Sequence, residues 1–203
     1  LITDKIKIAI IFFIVLYLSV GCATNKEEVH INSIELKKFI QDVPDFPKKG
    51  IVFKDLSPLL KNIEAYNTVI NMMAELISSS DLIVSPDARG FLFGPQVSLK
   101  KNIPFAMVRK KGKLPGDIVA ADYELEYGNS TLEMINGIIT SGQKVAIVDD
   151  FLATGGTTNA IIELIQKQGG IVTDIIYLAE LSFLNGKEKV NYPNNNIKSL
   201  ISY

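Results

Sequence analysis

The sequence predicts an α/β fold, a mostly parallel open sheet flanked by helices. Three observations predict it. Short apolar stretches, Leu82 to Val84, Val145 to Val148 and Ile171 to Leu178, read as strands buried on both faces. Between them, Glu64 to Ile77 and Thr158 to Gln168 repeat apolar residues at helical spacing, the alternation that builds a parallel sheet. A chain of 203 residues, 47% hydrophobic and 21% charged, is also long and apolar enough for one well-packed domain.

Composition excludes several functions. A net charge of −1 gives no electrostatic footprint for nucleic acid. One cysteine excludes an internal disulfide, and one histidine with one cysteine cannot complete the usual zinc ligand sets. Any metal must therefore arrive mainly with a substrate.

Residues 1–30 differ in kind from the rest. Lys5 and Lys7 precede an uncharged run from Ile8 to Val20, followed by Gly21, Cys22 and a polar stretch. The run is short for a membrane span, which needs about 20 residues. Three readings fit: an export signal with Cys22 lipidated, an uncleaved anchor, or upstream sequence joined by a misassigned start. Both membrane readings put the domain outside, because the leading lysines hold their end inside. The chain begins with Leu1 rather than methionine, and we expect a cytoplasmic domain of residues 31–203 whose start lies near Ile31 to Ile34.

From Ser33, SIELKKFIQDV reads as a short helix with Ser33 as N-cap, stopping before Pro44. A loop punctuated by Pro44, Pro47, Gly50 and Pro58 surrounds a short strand, Ile51 to Phe53. Glu64 to Ile77 is a covering helix, and the strand Leu82 to Val84 leads into SPDARGFLFGP. There Arg89 stands where a guanidinium can meet an anion, or simply form a surface ion pair. Pro104 to Val108 is a strand running into RKKGKLPG, where Arg109, Lys110, Lys111 and Lys113 crowd four cations into five residues. The stretch Asp117 to Met134 alternates as a hairpin does, with Gly128 and Asn129 at its turn. Gly169 and Gly170 close the later helix before the strand Ile171 to Leu178, and Ile197 to Ile201 forms a last short strand.

The central stretch is VAIVDDFLATGGT, Val145 to Thr157. Its order is strand, acidic pair, glycine turn, helix. Ala153, Thr154, Gly155, Gly156 and Thr157 let backbone approach an anion, and the helix behind them offers unpaired N–H groups and the positive end of its dipole. Asp149 and Asp150, ending the strand, would repel a second phosphate but accept hydrogen bonds from sugar hydroxyls. Together they describe a cradle for a ribose 5-phosphate at the carboxyl end of a parallel strand. A Walker loop is excluded by the missing lysine, and a dinucleotide fingerprint by the adjacent glycines.

This stretch resembles the signature with which type I phosphoribosyltransferases bind 5-phosphoribosyl 1-diphosphate (PRPP), and ATGGT resembles the adenine branch of that family. The resemblance extends from about Glu35 to Gly186. It implies a type I phosphoribosyltransferase fold with a small hood and a flexible lid hairpin, and transfer of phosphoribose from PRPP to adenine, giving AMP and pyrophosphate. Asp149 and Asp150 would hold the ribose and residues 153–157 the 5-phosphate. Arg89, Arg109, Lys110 and Lys113 would take the pyrophosphate. Val52, Phe53 and Lys54 of the hood would form the adenine site, with Phe53 on one face of the purine and Leu181 on the other. YELEYG matches the lid tip, where Glu126 would handle the purine proton and Tyr127 stand beside it. The resemblance further implies Mg²⁺ brought by PRPP, with no metal held by the protein alone, and a homodimer. Alternatives are a xanthine or hypoxanthine phosphoribosyltransferase, a non-catalytic PRPP-binding regulator, and an exported nucleotide-binding lipoprotein.

Overall fold

The computed structural model describes residues 33–124 and 129–203. The apolar amino-terminal segment with Cys22, and Glu126 and Tyr127 at the lid tip, lie outside the described residues. Among the described residues, no helix is long and apolar enough to cross a membrane.

The described residues open with α1 (Ser33–Leu36), a 3₁₀ turn to Phe39, and β1 (Gln41–Pro44). The helix expected up to Pro44 is thus much shorter. Val43 and its neighbours are extended because they pair antiparallel with β2 (Val52–Asp55), Asp42 opposite Lys54 and Val43 opposite Phe53. This two-stranded ribbon is the hood, and it shares no ladder with the main sheet.

Then come α2 (Ser57–Lys61), α3 (Ile63–Leu76), β3 (Leu82–Pro86), a 3₁₀ turn at Arg89–Leu92, α4 (Gly94–Lys101) and β4 (Phe105–Lys110). The N-cap of α3 is Asn62, whose side chain accepts from the Ala65 amide at 2.9 Å. The antiparallel hairpin β5 (Ile118–Glu124) and β6 (Asn129–Ile135) precedes β7 (Lys144–Leu152), α5 (Gly156–Lys167), β8 (Ile171–Glu180), α6 (Gly186–Lys189) and β9 (Ile197–Ser202). Seven strands form one sheet in the order β5-β6-β4-β3-β7-β8-β9, parallel from β4 to β9. This is the expected α/β architecture with its lid hairpin at one edge.

Strand periodicity divides the core. Val145 and Ile147 face one layer with Ile161, Leu164 and Ile165 of α5, whereas Ala146 and Val148 face the other with Val69 and Met73 of α3 and Phe93 before α4. Burial on both faces explains why β7 and β8 read as nearly continuous apolar runs. Each fully buried branched side chain contributes roughly 1.5–3 kcal/mol. A strand buried on both faces thus carries the acidic pair.

Candidate active site

β7 continues through the aspartates to Leu152, with Asp149 opposite Tyr177 and Phe151 opposite Ala179 of β8. The acidic pair was expected to end the strand; cross-strand pairing carries the ladder past it. Asp149 Oδ1 accepts from the Asp150 amide at 2.8 Å, and Asp150 Oδ1 accepts from the Phe151 amide at 2.7 Å. Arg89 Nε lies 2.5 Å from Asp150 Oδ2. Both aspartates are buried. Burial, and next the Asp150 charge, hold Asp149 well above the ordinary carboxylate range. Burial also raises Asp150, against the pull of the Arg89 guanidinium. Two carboxylates so placed are short of hydrogen-bond donors and positive charge, which sugar hydroxyls, a cation or a developing cationic carbon would supply.

Their close surroundings are fixed by small residues. A Cβ at Gly90 would stand 2.9 Å from Asp149 Oδ1, so glycine there lets the β3 end approach the pair. Behind it, the Tyr177 hydroxyl hydrogen-bonds Thr158 Oγ1 at 2.5 Å; burial, and then Asp149, push its pKa far up, so it stays protonated.

The turn after β7 is held by close backbone packing. Gly155 has φ +86°, a left-handed value suited to glycine, and no side chain caps α5. The amides opening α5 consequently stay free of any side-chain acceptor. A Cβ at Gly186 would fall 2.0 Å from Ala153 O, and one at Gly155 would fall 2.8 Å from Gly186 O. Gly186 was not anticipated from the sequence. Only its place in NGK, a turn signal, marks it.

The basic loop is built differently. Arg109 ends half-buried with Nε 3.1 Å from Asp87 Oδ2, while Lys110, Lys111 and Lys113 are exposed. Lys113 N donates to Lys110 O, Lys111 N to Thr131 O, and the Gly112 amide to Glu133 Oε2 at 2.8 Å. Glu133 is buried in β6 directly opposite Arg109. It anchors the loop, and in the sequence it passes for one more charge of the lid hairpin.

Around the hood, Arg89 lies 5.2 Å from the Phe53 ring centroid and 5.4 Å from that of Phe151, and donates to Lys54 O at 3.4 Å. Arg89 thus joins the acidic pair to the hood. Lys54 turns its ammonium to Asp42, 2.6 Å away, so its backbone rather than its side chain faces Arg89. Val52 is exposed on the hood. Leu181 is half-buried, its amide donating to Leu152 O at 2.9 Å. It lines a cleft of about 240 Å³ with Leu152, Glu180 and Gly186.

A strand-borne acidic pair beside a glycine cradle, with a cation-rich loop nearby, defines a sugar-phosphate transferase of the parallel-sheet class. Residues 56–181 match the model of the phosphoribosyl transferase domain, and the chain belongs to that family. Its relatives fall in the adenine branch. The adenine phosphoribosyltransferase of Mycoplasma mobile is 57% identical over 157 residues, 77% of this chain and 92% of that one. That of Mycoplasmopsis fermentans is 53% identical over 171 residues, 84% of this chain and 100% of that one. Among solved structures, the Thermoanaerobacter pseudethanolicus adenine phosphoribosyltransferase superposes with a TM-score of 0.81 at 46% identity, covering 85% of this chain and 100% of that one. The Saccharomyces cerevisiae enzyme, solved with an imino-altritol bisphosphate and adenine, gives 0.77 at 37% identity, covering 83% and 97%.

Proposed function

We infer that this chain transfers the 5-phosphoribosyl group of PRPP to adenine, a pentosyltransferase reaction of purine salvage. One observation carries the reading beyond family membership: Asp149 and Asp150 stand two residues before an uncapped glycine turn that opens a helix, spacing a ribose from its 5-phosphate. The C1–pyrophosphate bond breaks, a bond forms from C1 to adenine N9, and the N9 proton leaves.

The residues divide this work. The turn from Ala153 to Thr157 binds the 5-phosphate through backbone N–H groups at the α5 start. Asp149 and Asp150 orient the ribose and favour positive charge developing near C1. Arg89, Arg109, Lys110 and Lys113 meet the departing pyrophosphate, and Arg89 also screens Asp150 and supports the hood. Phe53 and Leu181 take the two faces of the purine, with Val52 and Lys54 beside it. Glu126 and Tyr127 are the lid residues for the proton, by the motif match. Among the described residues, no three His, Cys, Asp or Glu side chains converge on a metal-sized point. Mg²⁺ carried by PRPP would need only one or two protein carboxylates besides phosphate oxygens, and Asp149 and Asp150 would be the residues to hold it. When bound, it neutralises diphosphate charge.

The domain is proposed to span 31–203, since 171 residues of this chain match the whole length of a relative. Cytoplasmic location follows from its dependence on a cytosolic substrate, and a homodimer is proposed from the family resemblance. The decisive test is PRPP- and Mg²⁺-dependent pyrophosphate release by the purified chain with adenine, hypoxanthine, guanine and xanthine offered separately. Turnover with adenine alone is expected. Turnover only with a 6-oxopurine would reassign the base, and PRPP binding without turnover would make the chain a regulator.

A further inference from the structure

We propose that Tyr203 is a positioning residue for the purine, clasping the hood to the Leu181 turn. The inference rests on the reading of Phe53 and Leu181 as the two walls of the base site. Those walls belong to separate pieces of structure. Phe53 stands on the two-stranded hood, which shares no ladder with the seven-stranded sheet, and Leu181 follows the end of β8. Something must set the gap between them.

Tyr203 touches both. Its ring lies under the Lys54 ammonium, 3.8 Å from Nζ to the centroid, and Lys37 Nζ stands 4.9 Å from the same centroid. Lys54 is the residue after Phe53, and its side chain is only 11% exposed, so this cation–ring contact is shielded from water. Asp42, on the paired strand, takes the same ammonium and completes a Tyr203–Lys54–Asp42 stack.

The main chain of Tyr203 serves the other wall. Its amide donates to Glu180 O at 2.9 Å, and its carbonyl accepts from the Ser182 amide at 3.0 Å and also from the Ser182 hydroxyl. Both neighbours of Leu181 are therefore bonded to Tyr203. The ring holds one wall of the base site and the backbone holds the other. Residues 153–157 of the phosphate cradle make none of these contacts, so the clasp bears on the base site first.

The test is steady-state kinetics of Tyr203→Ala and Tyr203→Phe in the full chain, varying adenine and PRPP in turn. Tyr203→Ala keeps the backbone bonds but frees Lys54, so adenine KM should rise about tenfold while PRPP KM stays within about twofold and kcat within about threefold. Tyr203→Phe keeps the ring face and should restore adenine KM to within about twofold. Tyr203→Leu, which keeps an apolar side chain of some bulk and loses the ring face, should reproduce the adenine-selective rise should Tyr203→Ala not fold. Unchanged adenine KM in both Tyr203→Ala and Tyr203→Leu would overturn the clasp. So would a parallel rise in both substrates' KM, or a Phe variant as impaired as the Ala one. An unmodified chain silent with adenine would instead overturn the reading on which the clasp rests.

Discussion

The turn after β7 and the loop after β4, both proposed to bind phosphate, are built by opposite means. The turn, residues 153–157, has no cationic side chain and offers backbone N–H groups locked by packing against Gly186. The loop, residues 109–113, offers mostly exposed side-chain charge, tethered at its base by Asp87 and Glu133. A group that stays on the enzyme through the reaction suits a rigid cradle whose geometry is set before binding. A group that must leave suits cations that can follow it outward. The acidic pair stands between them, and four variants separate the parts.

The largest effect belongs to the pair itself. Asp149→Asn with Asp150→Asn keeps the side-chain oxygens that accept from the backbone but removes the charge; turnover should fall at least about a thousandfold, read as pyrophosphate release. The fold should gain. Both native pKa values lie above those of an unfolded chain, so the native state holds more protons between the two values and stability rises as pH falls through that window. Urea unfolding should therefore show the double variant more stable than the parent at neutral pH, its advantage shrinking toward about pH 4. An advantage that grows on acidification would contradict the burial argument.

Gly186→Ala tests the cradle. A methyl group there would strike Ala153 O, and displacement of the turn by about an ångström should cost about a hundredfold in kcat/KM for PRPP, with little salt dependence. Lys113→Ala tests the loop. It should raise PRPP KM about tenfold at low ionic strength, a difference that narrows as salt is added because the side chain is exposed. Equal salt sensitivity in the two variants would erase the contrast between them. The smallest effect is expected for Glu133→Gln, which keeps an acceptor for the Gly112 amide and should change pyrophosphate affinity only about two- to threefold, measured by product inhibition.

What the sequence could reveal follows the same divide. Asp149, Asp150 and the ATGGT turn were legible because strand, turn and helix are contiguous there, so spacing along the chain is spacing in the site. The covering helix α3 was legible from its apolar stripe. The hood strand β1 was not: Gln41–Pro44 has no alternation, and only its partner ten residues on makes it extended. Gly186, Glu133 and Tyr203 act through contacts with residues 21 or more positions away, which no local pattern records. Lys54 was placed by its neighbourhood, but the direction of its side chain depended on Asp42 across the ribbon.

The continuation of β7 past the aspartates also bears on how the molecule comes apart. The segment that carries Asp149 and Asp150 is paired with Tyr177 and Ala179 between two central strands, so it comes apart through opening of the sheet itself rather than through local fraying. The exposed Lys110–Lys113 turn hangs instead on the edge hairpin, through Lys111 N to Thr131 O and the Gly112 amide to Glu133. On gentle heating the molecule should thus lose its hold on the leaving group first and its ribose site last. Thermal inactivation measured at saturating PRPP would then track global unfolding, while inactivation at limiting PRPP would begin several degrees earlier.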